Sequence, residues 1–346
     1  MQFLNRFREA LVFTPGSVPW RRMAQFGASV ALALTAGLVL GTPGGAAIAA
    51  FGAMYVFFLD FGGPLNYRYP TILLGLIVIL LCAILGRVLH GLQWEKIAAV
   101  FILSFIAGGS NAAGPRILQV LRYGAVALLV CAVLPDISVA FLPYVLLGAG
   151  IGFAVTLVED GLFGWPARTQ PGSLWLETRR IPDYHRVQFR FAFWYALVAA
   201  AGLLGGELLG ASRPYWICIT TLFAMQPDAA LSLARMFQRI IGTLMAVPVT
   251  ALAIEWSHSI WLVAAVAVVM AFIVPYGFAR NYWFGCAAIV VFVIAVLDLV
   301  YFSQGGAMPL LWMRVYETIL GCVLASAGTF IAFPEVWRPR KRAAAG

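Results

Sequence analysis

Charged residues make up only 11% of the 346-residue chain, where a soluble domain carries about 25%. A chain so poor in charge cannot cover a water-facing surface, which excludes a soluble enzyme, a nucleic-acid reader and a disordered scaffold. Lysine is nearly absent: Lys96 and Lys341 stand against 21 arginines. Histidine is limited to His90, His185 and His258, too scattered in sequence to hold a metal. The five cysteines (Cys82, Cys131, Cys218, Cys286 and Cys322) lie in apolar stretches without CxxC spacing. They read as small core residues, not as disulfides or a metal site. No Walker sequence, Gly-rich phosphate loop or nucleophile elbow occurs, so neither direct ATP coupling within the chain nor a cofactor is expected. His90 with Glu95 is the best acid–base pair on offer for a membrane-embedded transferase. It reads as a polar loop end, and the chain is not expected to be an enzyme.

What is abundant is apolar: 62% of the residues are hydrophobic and the mean hydropathy is +0.92. The chain therefore reads as a polytopic membrane protein in contact with lipid. From Arg22 to Asp60 lie 37 uncharged residues, about 55 Å of helix at 1.5 Å per residue. A hydrocarbon core about 30 Å thick cannot hold them as one span, and Thr42-Pro43-Gly44-Gly45 is the natural break. The same measurement along the chain predicts twelve spans, near 24–42, 44–60, 69–89, 95–112, 117–135, 139–159, 190–210, 213–227, 235–255, 259–277, 282–302 and 313–334. The runs lack the alternation of a membrane barrel, so the spans should be helices and the fold all-α. With both termini cytoplasmic, nineteen basic residues fall inside against four outside (Arg87, Lys96, Arg213 and Arg314), as the positive-inside rule requires. Phe3, Leu4, Phe7 and Leu11 share one helical face, which predicts an interfacial helix over residues 1–13.

Residues 159–190 carry nine charges together with Pro166, Pro171 and Pro182, and they divide the chain in two. The halves echo each other: Ala36-Gly37-Leu38 returns as Ala201-Gly202-Leu203, Asp60 as Asp228, Arg68 as Arg235, Gly75 as Gly242, and Asn111 as Asn281. The expected division is a cytoplasmic segment over 1–22, a six-helix repeat over 23–159, a cytoplasmic linker over 160–189, a second six-helix repeat over 190–335 and a basic tail over 336–346. Six spans per half give parallel repeats about an axis along the membrane normal, with a pathway between them. Spans 2 and 8 are short and broken by Pro or Gly, which points to a binding site near them.

The densest polar motif follows span 8: Gln226-Pro227-Asp228, then Ser232, Arg235, Arg239, Gly242 and Thr243. Arg235 and Arg239 stack on one helix face and could hold a carboxylate bidentately. The alternative is that Asp228 caps span 9, the arginines anchor to lipid phosphates and Gly242 serves packing. The stretch Trp216 to Thr243, WICITTLFAMQPDAALSLARMFQRIIGT, resembles the fusaric-acid-resistance-like family, which includes the aromatic acid exporters. RVYETILG, Arg314 to Gly321, is similar to that family's R-x-x-[DE]-T-x-x-G element, and Asp60, Arg68 and Gly75 hold the pattern in the first half. The resemblance implies a bacterial inner-membrane exporter of small aromatic or other organic acids driven by the proton gradient. On this reading Asp60, Arg68, Asp228, Arg235, Arg239 and Trp216 are the substrate-binding candidates.

A second constellation falls at the other end of the membrane. Asp298 lies near the end of span 11, while Arg314 and Glu317 lie near the start of span 12 and could pair on one face. Ionisable residues within spans are costly and mark function, so Asp298 or Glu317, tuned by Arg314, is the proton-coupling candidate. A buried Arg314–Glu317 pair locking span 12 is the bland alternative. Phe193, Trp194, Tyr195, Tyr215 and Trp216 could wall an aromatic site. The partners expected are membrane lipid and a small organic acid, with the chain acting as a monomer of two repeats or as a homodimer. An anion channel, to which the aluminium-activated malate transporters of plants look distantly related, and an envelope-assembly protein without a substrate are the competing functions.

Overall fold

The computed structural model describes residues 12–63, 65–134, 139–164, 174–180, 185–256, 259–301 and 308–334. The interfacial helix expected over 1–13, most of the linker, His258 and the basic tail lie wholly or largely outside these residues. Among the described residues the chain is helical, without strands. The first half comprises α1 (Trp20–Val39), α2 (Pro43–Leu59), α3 (Leu65–Val88), α4 (Gln93–Ser110), α5 (Pro115–Val133) and α6 (Leu142–Phe163). A short α7 (Leu174–Arg179) belongs to the linker. The second half comprises α8 (His185–Leu208), α9 (Tyr215–Ala224), α10 (Ala229–Trp256), α11 (Ile260–Arg280), α12 (Tyr282–Tyr301) and α13 (Met308–Ala332).

A helix therefore overlaps each apolar stretch read from the sequence, and nine of the described helices are long and apolar enough to cross a membrane. The exceptions are α4, which opens with Glu95 and Lys96, α2 with 17 residues and α9 with 10. The span expected over 213–227 is thus a half-helix. It stops at Met225, whose backbone is extended (φ −74°, ψ 126°), because Pro227 two residues on has no N–H and its ring disfavours helix before it. Ser232 closes the break: its Oγ accepts from the Gln226 N–H at 2.8 Å and lies within hydrogen-bond reach of the Gln226 and Asp228 carbonyls.

The outer surface is that of a protein in lipid. Along α3, Leu73, Leu74, Ile77, Leu81, Ile84, Leu85 and Val88 are all exposed, a contiguous apolar face too large for a water-facing monomer. Inside, close approach of backbones replaces large side chains, as helix association in lipid demands. A Cβ on Gly148 of α6 would lie 1.8 Å from the Ala49 carbonyl oxygen of α2. In the second half, a Cβ on Gly321 of α13 would lie 2.6 Å from Thr220 of α9. Gly86 of α3 faces the Leu128 carbonyl of α5 in the same way, and Gly242 of α10 the Trp283 carbonyl of α12.

Helix neighbours follow a largely shared scheme in both halves, although α10 also packs on α13 where α3 does not pack comparably on α6. The first, second and sixth helices of each half pack together, as do the third and fifth and the fourth and fifth. Between halves the contacts are reciprocal: α1 packs on α11 and α4 on α8, while α2 packs on α12 and α5 on α9. The second and fifth helices of both halves thus surround the middle of the molecule.

Candidate functional site

Two clusters of arginine stand in contrasting surroundings. The first is neutralised. Asp60, in the turn after α2, receives Arg68 in a fully buried bidentate pair, Nε to Oδ1 and Nη2 to Oδ2, both at 2.6 Å. Arg22 donates to Oδ2 and to the Asp60 carbonyl at 2.8 Å, and Gln25 bridges Oδ2 to Thr156. Glu159 accepts from Arg21 at 2.7 Å, and Asp160 pairs with Arg68 and accepts from the Tyr69 hydroxyl. Three carboxylates and three guanidiniums thereby join α1, α2, α3 and α6. Burial alone would raise the Asp60 carboxyl, but Arg68 and Arg22 outweigh it and hold the group below the usual carboxylate range. Asp60 and Arg68, expected at the substrate, pair with one another in this network and do not line the cavity described next.

The counterpart in the second half is taken apart. Asp228 is exposed and caps α10, its Oδ1 accepting from the Leu231 N–H at 2.7 Å. It forms no ion pair with Arg235, and the capping geometry is that of the alternative reading of Asp228. Where the first half has Glu159 and Asp160, the positions 169 residues on, within the range of offsets that relates the two halves, hold Gly328 and Thr329. Without those acids Arg235 turns inward.

It turns into a cavity of about 870 Å³ between the halves. One stripe of α12 lines it from the first residue to the last, through Tyr282, Cys286, Ile289, Val293, Leu297 and Tyr301, about 28 Å along the helix and so close to a bilayer core. The short helices α2 and α9 form facing walls, where the interrupted spans 2 and 8 were expected to mark a site. The walls are apolar and aromatic, with Tyr55, Phe58, Tyr123, Trp216, Phe223 and Tyr282 prominent. The charged groups reaching it are all cationic among the described residues: Arg22, Arg87, Arg122, Arg235, Arg239 and Arg314.

Apart from Arg22, none of these forms an ion pair with a described carboxylate; Arg122, Arg235, Arg239 and Arg314 rest on aromatic faces instead, and Arg87 has a buried Nη1 with no described partner. Arg235 lies 4.0 Å from the Tyr282 ring centroid. Arg239 lies 5.8 Å from Phe223, donates to the Tyr282 hydroxyl at 3.4 Å, and its buried Nε has no described partner. Arg122 lies 5.8 Å from the same Phe223 and donates to the Tyr195 hydroxyl at 3.1 Å, and that hydroxyl in turn donates to the Leu222 carbonyl. Arg314 lies 4.9 Å from Trp216 with a buried, unpartnered Nη1. Cation–π contact offsets part of a guanidinium's burial but leaves its charge uncompensated.

Arg122 was missed as a site residue and counted with the cytoplasmic charges. It is buried seven residues into α5, about 10 Å along that helix. Its signal was available: an ionisable residue inside a span by simple counting. Glu177 of α7 was missed as well. Its carboxylate accepts from the Ile117 N–H at 2.9 Å and pairs with Arg116 at 3.1 Å, seating the linker helix on the start of α5. Nothing in the local sequence singles it out.

At the far end, Arg314 and Glu317 form no ion pair, and the locking pair offered as the bland alternative is absent. Glu317 is buried; its Oε1 accepts from the Arg213 N–H at 3.2 Å and its Oε2 has no described hydrogen-bond partner. Asp298 is buried and has an interacting neighbour. Neither acid lines the cavity, although Arg314, one turn from Glu317, does. His90 points its Nδ1 at the Ala132 carbonyl, 3.0 Å away, and not at Glu95. Lys96 pairs with Glu207.

Together these features define a multi-pass, all-α membrane protein enclosing a cationic, aromatic cavity. Residues 192–328, almost the whole second half, match the family described as Fusaric acid resistance protein-like; the resemblance read from the motifs holds there. The chain is 30% identical over 154 residues to Uncharacterized protein ORF2 of Neisseria gonorrhoeae, covering 43% of this chain and 35% of that protein. It is 27% identical over 167 residues to Inner membrane protein YccS of Escherichia coli strain K12, covering 48% of this chain and 23% of that protein. The chain thus spans well under half the length of these relatives. No solved structure matches it.

Proposed function

We propose that the chain is a bacterial inner-membrane secondary transporter that exports small organic anions, aromatic carboxylates foremost, in exchange for protons. The observation that carries this reading is the cavity: guanidiniums without carboxylate partners, set among aromatic rings, in a space running the length of α12. A buried cation lacking a counter-ion is expensive in lipid, and an organic anion supplies the missing charge while its apolar body fills the aromatic walls. The matching helix neighbours and reciprocal contacts support two parallel repeats, and the excess of basic residues on one side favours cytoplasmic termini.

Proton coupling is assigned to Glu317. Its buried, unpartnered Oε2 suits a protonated carboxyl, and its position one turn from Arg314 lets an anion on Arg314 alter its proton affinity. In proteoliposomes with an imposed pH gradient, radiolabelled benzoate should accumulate and a protonophore should abolish the accumulation. Glu317→Gln should leave benzoate exchange intact while removing uphill accumulation. One observation favours an anion channel as second reading: every charged group at the cavity among the described residues is basic. Benzoate flux that follows voltage at any pH gradient, with Glu317→Gln silent, would establish the channel. Absence of benzoate flux in both settings would contradict the transport reading.

A further inference from the structure

We propose that the cavity holds two organic anions at once, at two stations stacked along α9. Trp216 and Phe223 are seven residues apart on that helix and both face the cavity, so they lie on one face about 10.5 Å apart along the axis. Each ring carries its own guanidinium. Arg314 stands over Trp216 at 4.9 Å, while Arg122 from the first half and Arg239 from the second stand over Phe223, each at 5.8 Å. Ile219 lines the cavity midway and puts an apolar side chain between them. Both stations retain a buried guanidinium nitrogen with no described partner, Nη1 of Arg314 and Nε of Arg239.

The spacing is longer than a benzoate ion, so one such ion cannot serve both rings. Each station has the parts for one monocarboxylate: a guanidinium for the carboxylate and an aromatic plate for the organic body. The guanidiniums also repel one another across the cavity, and anions on both stations relieve that repulsion. Occupation of one station therefore does not displace the anion on the other, and a transported anion moves by stepping between them.

This inference rests on the reading of the cavity as an organic-anion site. Its test is the stoichiometry of radiolabelled benzoate bound to the purified full chain in nanodiscs. Two equivalents per chain are expected at saturation. Arg314→Gln should leave one equivalent, Arg122→Gln with Arg239→Gln should leave one, and the triple variant none. The corresponding lysine variants, which keep the charge, should retain two equivalents and show that the loss is not misfolding. Saturation at one equivalent in the unaltered protein, or loss of all binding with Arg314→Gln alone, would overturn the two stations while leaving a single anion site. No binding to the unaltered protein would overturn both readings.

Discussion

Replacing Arg239 with methionine is expected to lower benzoate affinity about 10- to 100-fold, a charge-assisted hydrogen bond being worth about 1.5–3 kcal/mol and each 1.4 kcal/mol a factor of ten. The same substitution should raise the melting temperature of the ligand-free protein. Arg239 has no carboxylate partner; its described contacts are a long hydrogen bond to Tyr282 and the Phe223 ring. Removing it therefore removes a burial cost without leaving a charge stranded. Opposite signs for binding and stability distinguish a binding cation from an anchoring one. Arg239→Lys should fall between, because an ammonium keeps the charge but loses the planar fork. Equal affinity in Arg239→Met and the unaltered protein would show that the guanidinium does not face the ligand. Paired measurements of benzoate binding and thermal unfolding in one detergent decide the matter.

Arg68 should behave in the reverse manner. Arg68→Met leaves Asp60, Glu159 and Asp160 with Arg21 and Arg22 as their remaining ion-pair partners among the described residues. Breaking a buried pair from one side costs about 3–5 kcal/mol, enough to remove much of a domain's stability. The loss should appear as a sharply lowered melting temperature. The sign of its pH dependence follows from Asp60. A carboxyl held below its ordinary value stabilises the fold above the unfolded-state pKa, about 3.9, and that contribution fades as pH falls through the lower folded value. The difference between Arg68→Met and the unaltered protein should thus be full at neutral pH and shrink only in strong acid. A melting temperature unchanged by Arg68→Met would mean that the network contributes nothing net to stability.

The contrast between Arg68 and Arg235 also shows what a sequence of this kind discloses. Helix positions were legible because charges and Pro-Gly breaks punctuate long apolar runs, and lipid thickness converts those runs into spans. The Trp216-to-Thr243 motif led to Trp216, Arg235 and Arg239, which do meet at one cavity. Asp60, Arg68 and Asp228 do not line that cavity, a placement the sequence did not foretell because repeat logic assumes that matched residues keep matched partners. The partners that decide the outcome, Glu159 and Asp160, lie about 90 residues beyond Arg68 and have no acidic counterparts at Gly328 and Thr329. One extended residue before Pro227 then lets Asp228 cap α10. Arg122 was hidden by the positive-inside tally, which credits an arginine near a span's start to the cytoplasm even where two helical turns bury it.

Cysteine chemistry at position 219, midway along the cavity, gives the most direct test of an anion pathway. Ile219→Cys is made in a background from which the five native cysteines are removed. Its conversion to a mixed disulfide by an anionic sulfonatoethyl methanethiosulfonate, with methanesulfinate as the leaving group, is compared with that by the cationic trimethylammonium analogue. Each rate is normalised to the reagent's rate with a free thiol in solution. The cavity's guanidiniums should favour the anionic reagent by about tenfold or more, in the range that focused fields produce, and benzoate should protect the thiol. A normalised rate equal to or lower than that of the cationic reagent, with no protection by benzoate, would contradict an organic-anion pathway at this cavity.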